Sequence, residues 1–484
     1  MAAGSRLALH GRELPHVAVF PLMAKGHTIP LVDLACVLRR RGLADVTFFT
    51  TPGNAAFVRA ALAAGGAGDD AAVVELPFPG GRAPTGGEAA EGVASASSFA
   101  AFAEATSQLR PRFEEALAAM RPPASLLVAD GFLYWAHASA AALGVPRLSF
   151  LGTSAFAHVV REALVRDRPG ATPPQEGGGA GNTSLAASTY TVPEFPHLQF
   201  SLADLVPPPL PLIELDAKMA VAVAASHGVI MNTFNDMEGP YVEHWNRHIG
   251  PRAWPIGPLC LAQQSSSTDE AHDKPSWMQW LDDKAAAGRA VLYIALGTLG
   301  AIPEPQLKEV ANGLEQADVD FLWVVRPNNV DLGTRYEERV EERGKVVRGW
   351  VDQRKILNHT CVRGFLSHCG WNAVLESVTA GVPLAVWPME FDQPLNAKLV
   401  VDELKVGMRV HTSDGTVGGF VKSEEVTRVV REMMFGEAGT TMALRVAKIA
   451  KQAQLAVSDG GSSWNAVERM INELCATNNA RKAM

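Results

Sequence analysis

The sequence predicts an α/β fold made of two doubly wound parallel sheets. Three observations carry the expectation. Apolar runs of strand length recur, helical segments alternate with them, and a polar stretch near the middle is followed by the same alternation. At 484 residues the chain exceeds one ordinary core and suits two domains.

The first strand is expected at residues 16–20, HVAVF, ending at Pro21. A loop at 23–28 follows, and residues 29–41 carry apolar positions at helical spacing. Arg39, Arg40 and Arg41 close that helix and Gly42 stands just beyond it. Cations suit the negative end of the helix dipole, and glycine accepts a left-handed cap. Residues 46–50 read as a second strand, 52–64 as a helix, 125–129 as a buried strand ending at Asp130, 135–143 as a helix and 147–150 as another strand. Gly- and Pro-rich stretches at 65–70, 77–92 and 168–184 read as surface loops, and 151–168 as a further variable loop. The stretch 262–275, AQQSSSTDEAHDKP, has the composition of an interdomain linker. Beyond it come strand 290–296, helix 304–317, strands 321–325 and 362–367, helix 371–380 and strand 384–386. Two such domains leave a cleft at the carboxyl ends of their strands, where open α/β sheets bind ligands.

Composition narrows the function classes. Hydrophobic residues make up 47% and charged residues 19%, which is globular composition. The net charge of −8, from 43 basic and 51 acidic side chains, lacks the basic stripe of a nucleic-acid partner. No apolar stretch of about 18 residues occurs, so no stable membrane insertion is expected. Cys36, Cys260, Cys361, Cys369 and Cys475 are an odd, scattered set that suits a reducing compartment, and a cytoplasmic monomer is the expectation. Dinucleotide, Walker, nucleophile-elbow and zinc-protease motifs are absent. Cys361, His368 and Cys369 do not suit one zinc ion, because neighbours on a strand face opposite ways.

Residues 350–393, WVDQRKILNHTCVRGFLSHCGWNAVLESVTAGVPLAVWPMEFDQ, carry the chemistry. SHCGWN lies between a strand and a helix, so Gly370 and the helix start offer backbone N–H groups to an anion. His368 adds a donor that can be cationic near a diphosphate, and Glu376, one turn on, suits ribose hydroxyls. Asp392 beside Gln393 pairs a carboxylate with an amide, which suits vicinal sugar hydroxyls.

The segment resembles the plant secondary-product glycosyltransferase signature of the family 1 UDP-dependent glycosyltransferases, sharing its length, opening Trp and closing Gln. The resemblance extends to PLMAKGHTIP near the start and to Gly460-Gly461-Ser462-Ser463. It implies a GT-B fold: two Rossmann-like domains facing a cleft, with residues 1–258 binding the acceptor and 277–458 the UDP-sugar. Residues 259–276 would link them, and a C-terminal helix in 459–484 would pack back on the first domain. By the same resemblance Trp350 would stack on uracil and Gln353 would bond the uracil or ribose edge. His368, Asn372 and backbone near Trp371 would hold the diphosphate, with Thr298 as a phosphate contact, and Glu376 the ribose. Asp392 and Gln393 would hold the sugar, and a terminal Gln goes with glucose where His goes with galactose. Two positions depart from the pattern. Asp352 stands where the family has Pro, and Ala373 where it has Ser, which removes one hydroxyl from the phosphate site.

The acceptor's hydroxyl must lose a proton as it attacks, and a His backed by a carboxylate does this near neutral pH. His27 in GHTIP and Asp130 in VADGF match the family's catalytic pair. Thr153 in FLGTSA is a candidate contact to donor sugar or phosphate, with Ser154 an equal choice on local spacing. Direct displacement of UDP would invert the anomeric centre without a metal or other cofactor. Phe78, Phe132, Trp135, Phe156 and Phe391 suit a flat hydrophobic acceptor such as a flavonoid, phenol or terpenoid. The resulting expectation is an inverting UDP-glucose-dependent O-glucosyltransferase. C-glucosylation, transfer to an existing sugar and a catalytically weak UDP-sugar binder are the alternatives.

Overall fold

The computed structural model describes residues 14–482 apart from 68–70, 82, 84–86, 92, 94, 170–188, 206, 263–273, 298–301 and 327–329. Thr298, the glycine-rich run at 176–181 and most of the 262–275 stretch lie outside the described residues. The chain divides into two compact units. Met1–Gly152, Pro209–Asp269 and Gln452–Met484 make the first, and Thr153–Pro208 with Glu270–Lys451 the second.

The first unit is built on β1 (His16–Phe20), β2 (Asp45–Thr50), β3 (Ala72–Glu75), β4 (Leu126–Asp130) and β5 (Arg147–Leu151). Two short strands of the second unit, β6 (Thr189–Thr191) and β7 (Gln199–Ser201), pair antiparallel before β8 (Val229–Met231) and β9 (Ala253–Pro255) return to the first sheet. The sheet order is β3-β2-β1-β4-β5-β8-β9, with every neighbour parallel. Helices cover both faces, so β1 and β4 are buried along their whole length and read as unbroken apolar runs. Val17, Val19, Leu34, Phe48 and Val128 share one core with Ala466, Val467, Met470 and Ile471 of the helix Ser462–Lys482.

The second unit repeats the plan with β10 (Val291–Ala295), β11 (Asp320–Val325), β12 (Gly344–Arg348), β13 (Val362–Ser367), β14 (Leu384–Val386) and β15 (Gly407–Arg409). Its order is β12-β11-β10-β13-β14-β15, again parallel throughout. Ile294, Leu314, Trp323, Leu366 and Val429 fill the core beneath it. Each sheet therefore reverses its winding once, between β1 and β4 in the first and between β10 and β13 in the second. Loops diverge at such a switch point and open a crevice at the carboxyl ends of the two strands. This two-unit α/β architecture is the GT-B fold.

Two local expectations are corrected. Residues 151–168 are not loop, because Ala155–Asp167 is a helix that buries Phe156, Val159, Val160 and Ala163. The Ser154 hydroxyl caps it by accepting the Ala157 N–H at 3.0 Å. The helix after β1 also starts earlier, at Lys25, because the N–H groups of His27 and Thr28 already donate to Ala24 at 2.9 and 2.8 Å. His27 thus sits in a helical first turn. Pro30 is accommodated inside the same helix.

Candidate active site

The switch point of the first sheet holds His27 and Asp130. Asp130 ends β4, while His27 opens the helix that follows β1, its neighbour in the sheet. His27 Nδ1 lies 2.8 Å from Asp130 Oδ2, with the carboxylate 1% and the imidazole 18% exposed. The other oxygen, Oδ1, accepts the Phe132 N–H at 3.0 Å. A buried acceptor fixes the imidazole proton on Nδ1, so Nε2 is left as the basic nitrogen. Phe132 stands edge-on to the imidazole, ring centroids 5.5 Å apart. Beneath the ring lies Gly152, where a Cβ would stand 3.0 Å from His27 Cε1. Sequence reasoning missed Gly152. A lone glycine after a strand reads as a turn, not as the floor of a histidine.

The switch point of the second sheet gathers the 350–393 segment. His368 follows β13, and the helix Trp371–Thr379 begins at Gly370 without a side-chain cap, so its positive dipole end faces the loop after β13. Trp371 and Ala373 are buried there and Asn372 is half-buried. Cβ atoms added at Gly297 and Gly370 would stand 2.9 and 2.7 Å from the His368 ring, so only glycines let both loops close on it. Burial pushes the His368 imidazole down to about 4, with a backbone hydrogen bond at Ala295 opposing it. At that value the ring is neutral near pH 7, and a neutral imidazole carries one N–H donor.

Trp350 is 58% exposed. Gln353 Nε2 donates to Glu376 Oε2 at 2.7 Å, and Tyr293 donates to Gln353 Oε1 at 3.2 Å. Arg354 Nε reaches the other Glu376 oxygen at 3.0 Å. Glu376 is 9% exposed, so its charge is met by a guanidinium rather than by water. Arg354 is a second residue that sequence reasoning missed. Asp352 caps the short helix Gln353–Leu357 by accepting the Lys355 N–H at 3.2 Å. The departure from Pro thus brings a side-chain acceptor that proline lacks.

Asp392 and Gln393 follow β14. Gln393 Oε1 accepts the N–H groups of Met389 and Glu390 at 2.9 and 3.0 Å, while Asp392 Oδ2 accepts the Thr153 hydroxyl. Ser154 is engaged elsewhere, as the helix cap. Cys369 and Phe391, each one residue before this machinery, hold left-handed φ of 66° and 57°. Non-glycine residues adopt that conformation at a cost, and such positions concentrate at ligand sites. Of the proposed acceptor-side aromatics, Phe78, Trp135 and Phe156 are buried in the core, and Phe132 and Phe391 remain partly exposed.

Residues 243–445 match the family model described as UDP-glucoronosyl and UDP-glucosyl transferase. UDP-glycosyltransferase 90A1 of Arabidopsis thaliana is 39% identical over 97% of this chain and 98% of its own length. The chain belongs to the plant family 1 UDP-glycosyltransferases. Anthocyanin 3'-O-beta-glucosyltransferase of Gentiana triflora is 33% identical to this glycosyltransferase, covering 95% of it and 98% of the relative. Glycyrrhiza uralensis UGT73P12, solved with glycyrrhetinic acid 3-O-monoglucuronide, superposes with a TM-score of 0.84 at 29% identity, over 97% of each chain. This glycosyltransferase is therefore an enzyme that takes its sugar from a UDP-sugar donor. Among its described residues no helix is long and apolar enough to cross a membrane.

Proposed function

We propose that the enzyme transfers glucose from UDP-glucose to a hydroxyl of a hydrophobic small molecule, a flavonoid, another phenol or a terpenoid, with inversion. The observation that carries the reading is the 2.8 Å bond between His27 and the buried Asp130. With its proton held on Nδ1, His27 takes the acceptor's proton on Nε2 as the oxygen attacks the anomeric carbon. The imidazolium so formed is stabilised by Asp130. As the new C–O bond forms, the bond from the anomeric carbon to the diphosphate oxygen breaks, and UDP leaves. The departing charge is met by the positive dipole end of the helix Trp371–Thr379, by Asn372 and by the His368 donor, which supports a reaction without a resident metal.

On the donor side, Trp350 stacks on uracil, Gln353 bonds its edge, and Glu376 takes the ribose hydroxyls. Asp392, Gln393 and Thr153 take the sugar, and the closing Gln favours glucose over galactose. The hydroxyl-directed reading draws support from the relative that acts as an anthocyanin 3'-O-beta-glucosyltransferase. An acceptor screen read by mass spectrometry, with UDP-glucose, UDP-galactose and UDP-glucuronate in parallel, tests donor and acceptor together. The expected product is an acid-labile glucoside formed from UDP-glucose. An acid-stable product would mark C-glucosylation, and preference for another donor would overturn the Gln393 argument. His27→Ala should lower kcat by about 10³-fold with UDP binding intact, and wild-type turnover in that variant would refute the base assignment.

A further inference from the structure

We infer that Asn396 is a positioning residue that orients the Asp392 carboxylate and the diphosphate loop at Cys369 through a single side-chain amide. The inference rests on the reading that Asp392 binds the donor sugar. Asn396 is fully buried on the helix Gln393–Lys398, one turn beyond Asp392. Its Nδ2 donates to Asp392 Oδ2 at 2.7 Å and to the Cys369 carbonyl at 3.0 Å, while its Oδ1 accepts the Ser154 hydroxyl at 2.8 Å. Both amide protons face acceptors and the oxygen faces a hydroxyl, so the flip of the amide is decided by its partners. Ser154 is in turn the cap of the helix Ala155–Asp167. One amide therefore ties together the cap of that helix, the loop after β13 and the sugar-side carboxylate.

The pattern of bonds at Asp392 says what the tie achieves. Asn396 and Thr153 both engage Oδ2, and among the described residues Oδ1 has no hydrogen-bond partner. A carboxylate held by one oxygen with the other unpaired is aimed, and the unpaired oxygen is the one left for a sugar hydroxyl. At the other end, the bonded carbonyl belongs to Cys369, whose left-handed φ of 66° needs such outside support. Asn396 was not singled out from the sequence because it lies beyond Gln393 and its partners are 27 and 242 residues away.

Charged or titratable groups around the pair are Arg161 on the helix Ala155–Asp167, which senses Asp392, and the Cys369 thiol, which senses Asp392 and Arg409. The test measures UDP and UDP-glucose affinities by calorimetry in Asn396→Ser, Asn396→Asp and Asp392→Asn, with thermal unfolding alongside. Asn396→Ser should weaken both ligands about fivefold, because both arms of the amide are lost. Asp392→Asn should weaken UDP-glucose and leave UDP unchanged. Asn396→Asp places two carboxylates in hydrogen-bond contact, and such a pair resists losing its shared proton. Its UDP-glucose affinity relative to wild type should therefore fall about tenfold between pH 6 and 8.5. If Asp392→Asn weakens UDP-glucose but the Asn396 variants bind both ligands as wild type does, the positioning role is overturned while the sugar-site reading stands. If Asp392→Asn binds UDP-glucose normally, both fall. Loss of thermal stability with unchanged affinities would make Asn396 a structural residue and overturn the inference.

Discussion

A methyl group at Gly152 tests how strictly His27 must be held. In Gly152→Ala the new Cβ would stand 3.0 Å from His27 Cε1 and 3.2 Å from Nδ1. Carbon pairs rest at about 3.5–4.0 Å, so the ring must retreat by roughly 0.5 Å. The ring is already held by the 2.8 Å bond from Nδ1 to Asp130 and packed against Phe132, whose ring centre lies 5.5 Å away. The retreat therefore lengthens the Asp130 bond toward the weak end of the hydrogen-bond range, near ~3.2 Å, or tilts Nε2 off the acceptor. A misplacement of about 1 Å costs on the order of 10²-fold in rate, so half of that predicts roughly tenfold in kcat. Gly152 is outside the left-handed region, so alanine fits its backbone and the effect is steric alone. The assay is kcat and KM on an acceptor found by the screen, with UDP affinity and thermal unfolding measured in parallel. The expectation is a tenfold lower kcat, unchanged UDP affinity and a stability loss of about 1–2 kcal/mol. A wild-type kcat, or a loss of UDP affinity matching the loss of kcat, would refute the reasoning.

Other perturbations address the donor segment. Asp352→Pro restores the family residue but removes the cap on Lys355 N–H, so it should cost about 1 kcal/mol of stability and raise the UDP-glucose KM two- to fivefold through Gln353; an unchanged KM would show that Gln353 needs no cap. Ala373→Ser should lower that KM by about fivefold, the worth of one added hydrogen bond to phosphate, and an unchanged value would sink this account. His368 titrates near 4 in the folded chain against 6.5 when unfolded, so the unfolded state takes up its proton first as pH falls. The stability it contributes is present above pH 6.5 and is lost on descending toward pH 4, by about 2 kcal/mol at pH 5. Unfolding of wild type and His368→Asn at pH 7.5 and pH 5 measures this, and equal acid sensitivity in the two proteins would contradict it.

Strands between two helical layers announced themselves because burial on both faces leaves no polar position. Residues 384–386 were readable to the residue for that reason, and 362–367 were too, although Arg363 is exposed near the start of that strand. The helix Ala155–Asp167 was hidden because Gly152, Thr153 and Ser154 look like loop, although the serine is its cap. Gly26 and Pro30 likewise disguised the helical turn that carries His27. Motif residues within 350–393 could be named because they lie close together in sequence. Their supports could not. Arg354 meets Glu376 across 22 residues and Gly152 meets His27 across the sheet, and contacts of that kind leave no periodic trace in a chain.

The clamp on Glu376 bears on how fast the enzyme turns over. Gln353 and Arg354 occupy both carboxylate oxygens. On the proposed ribose role of Glu376, an arriving ribose would exchange partners with them, and the same side chains would return as UDP departs. No bare buried anion is exposed at either moment. Under that reading product escape is a swap of hydrogen bonds rather than the baring of a buried charge. Such self-pairing of Glu376 would favour release of UDP between turnovers.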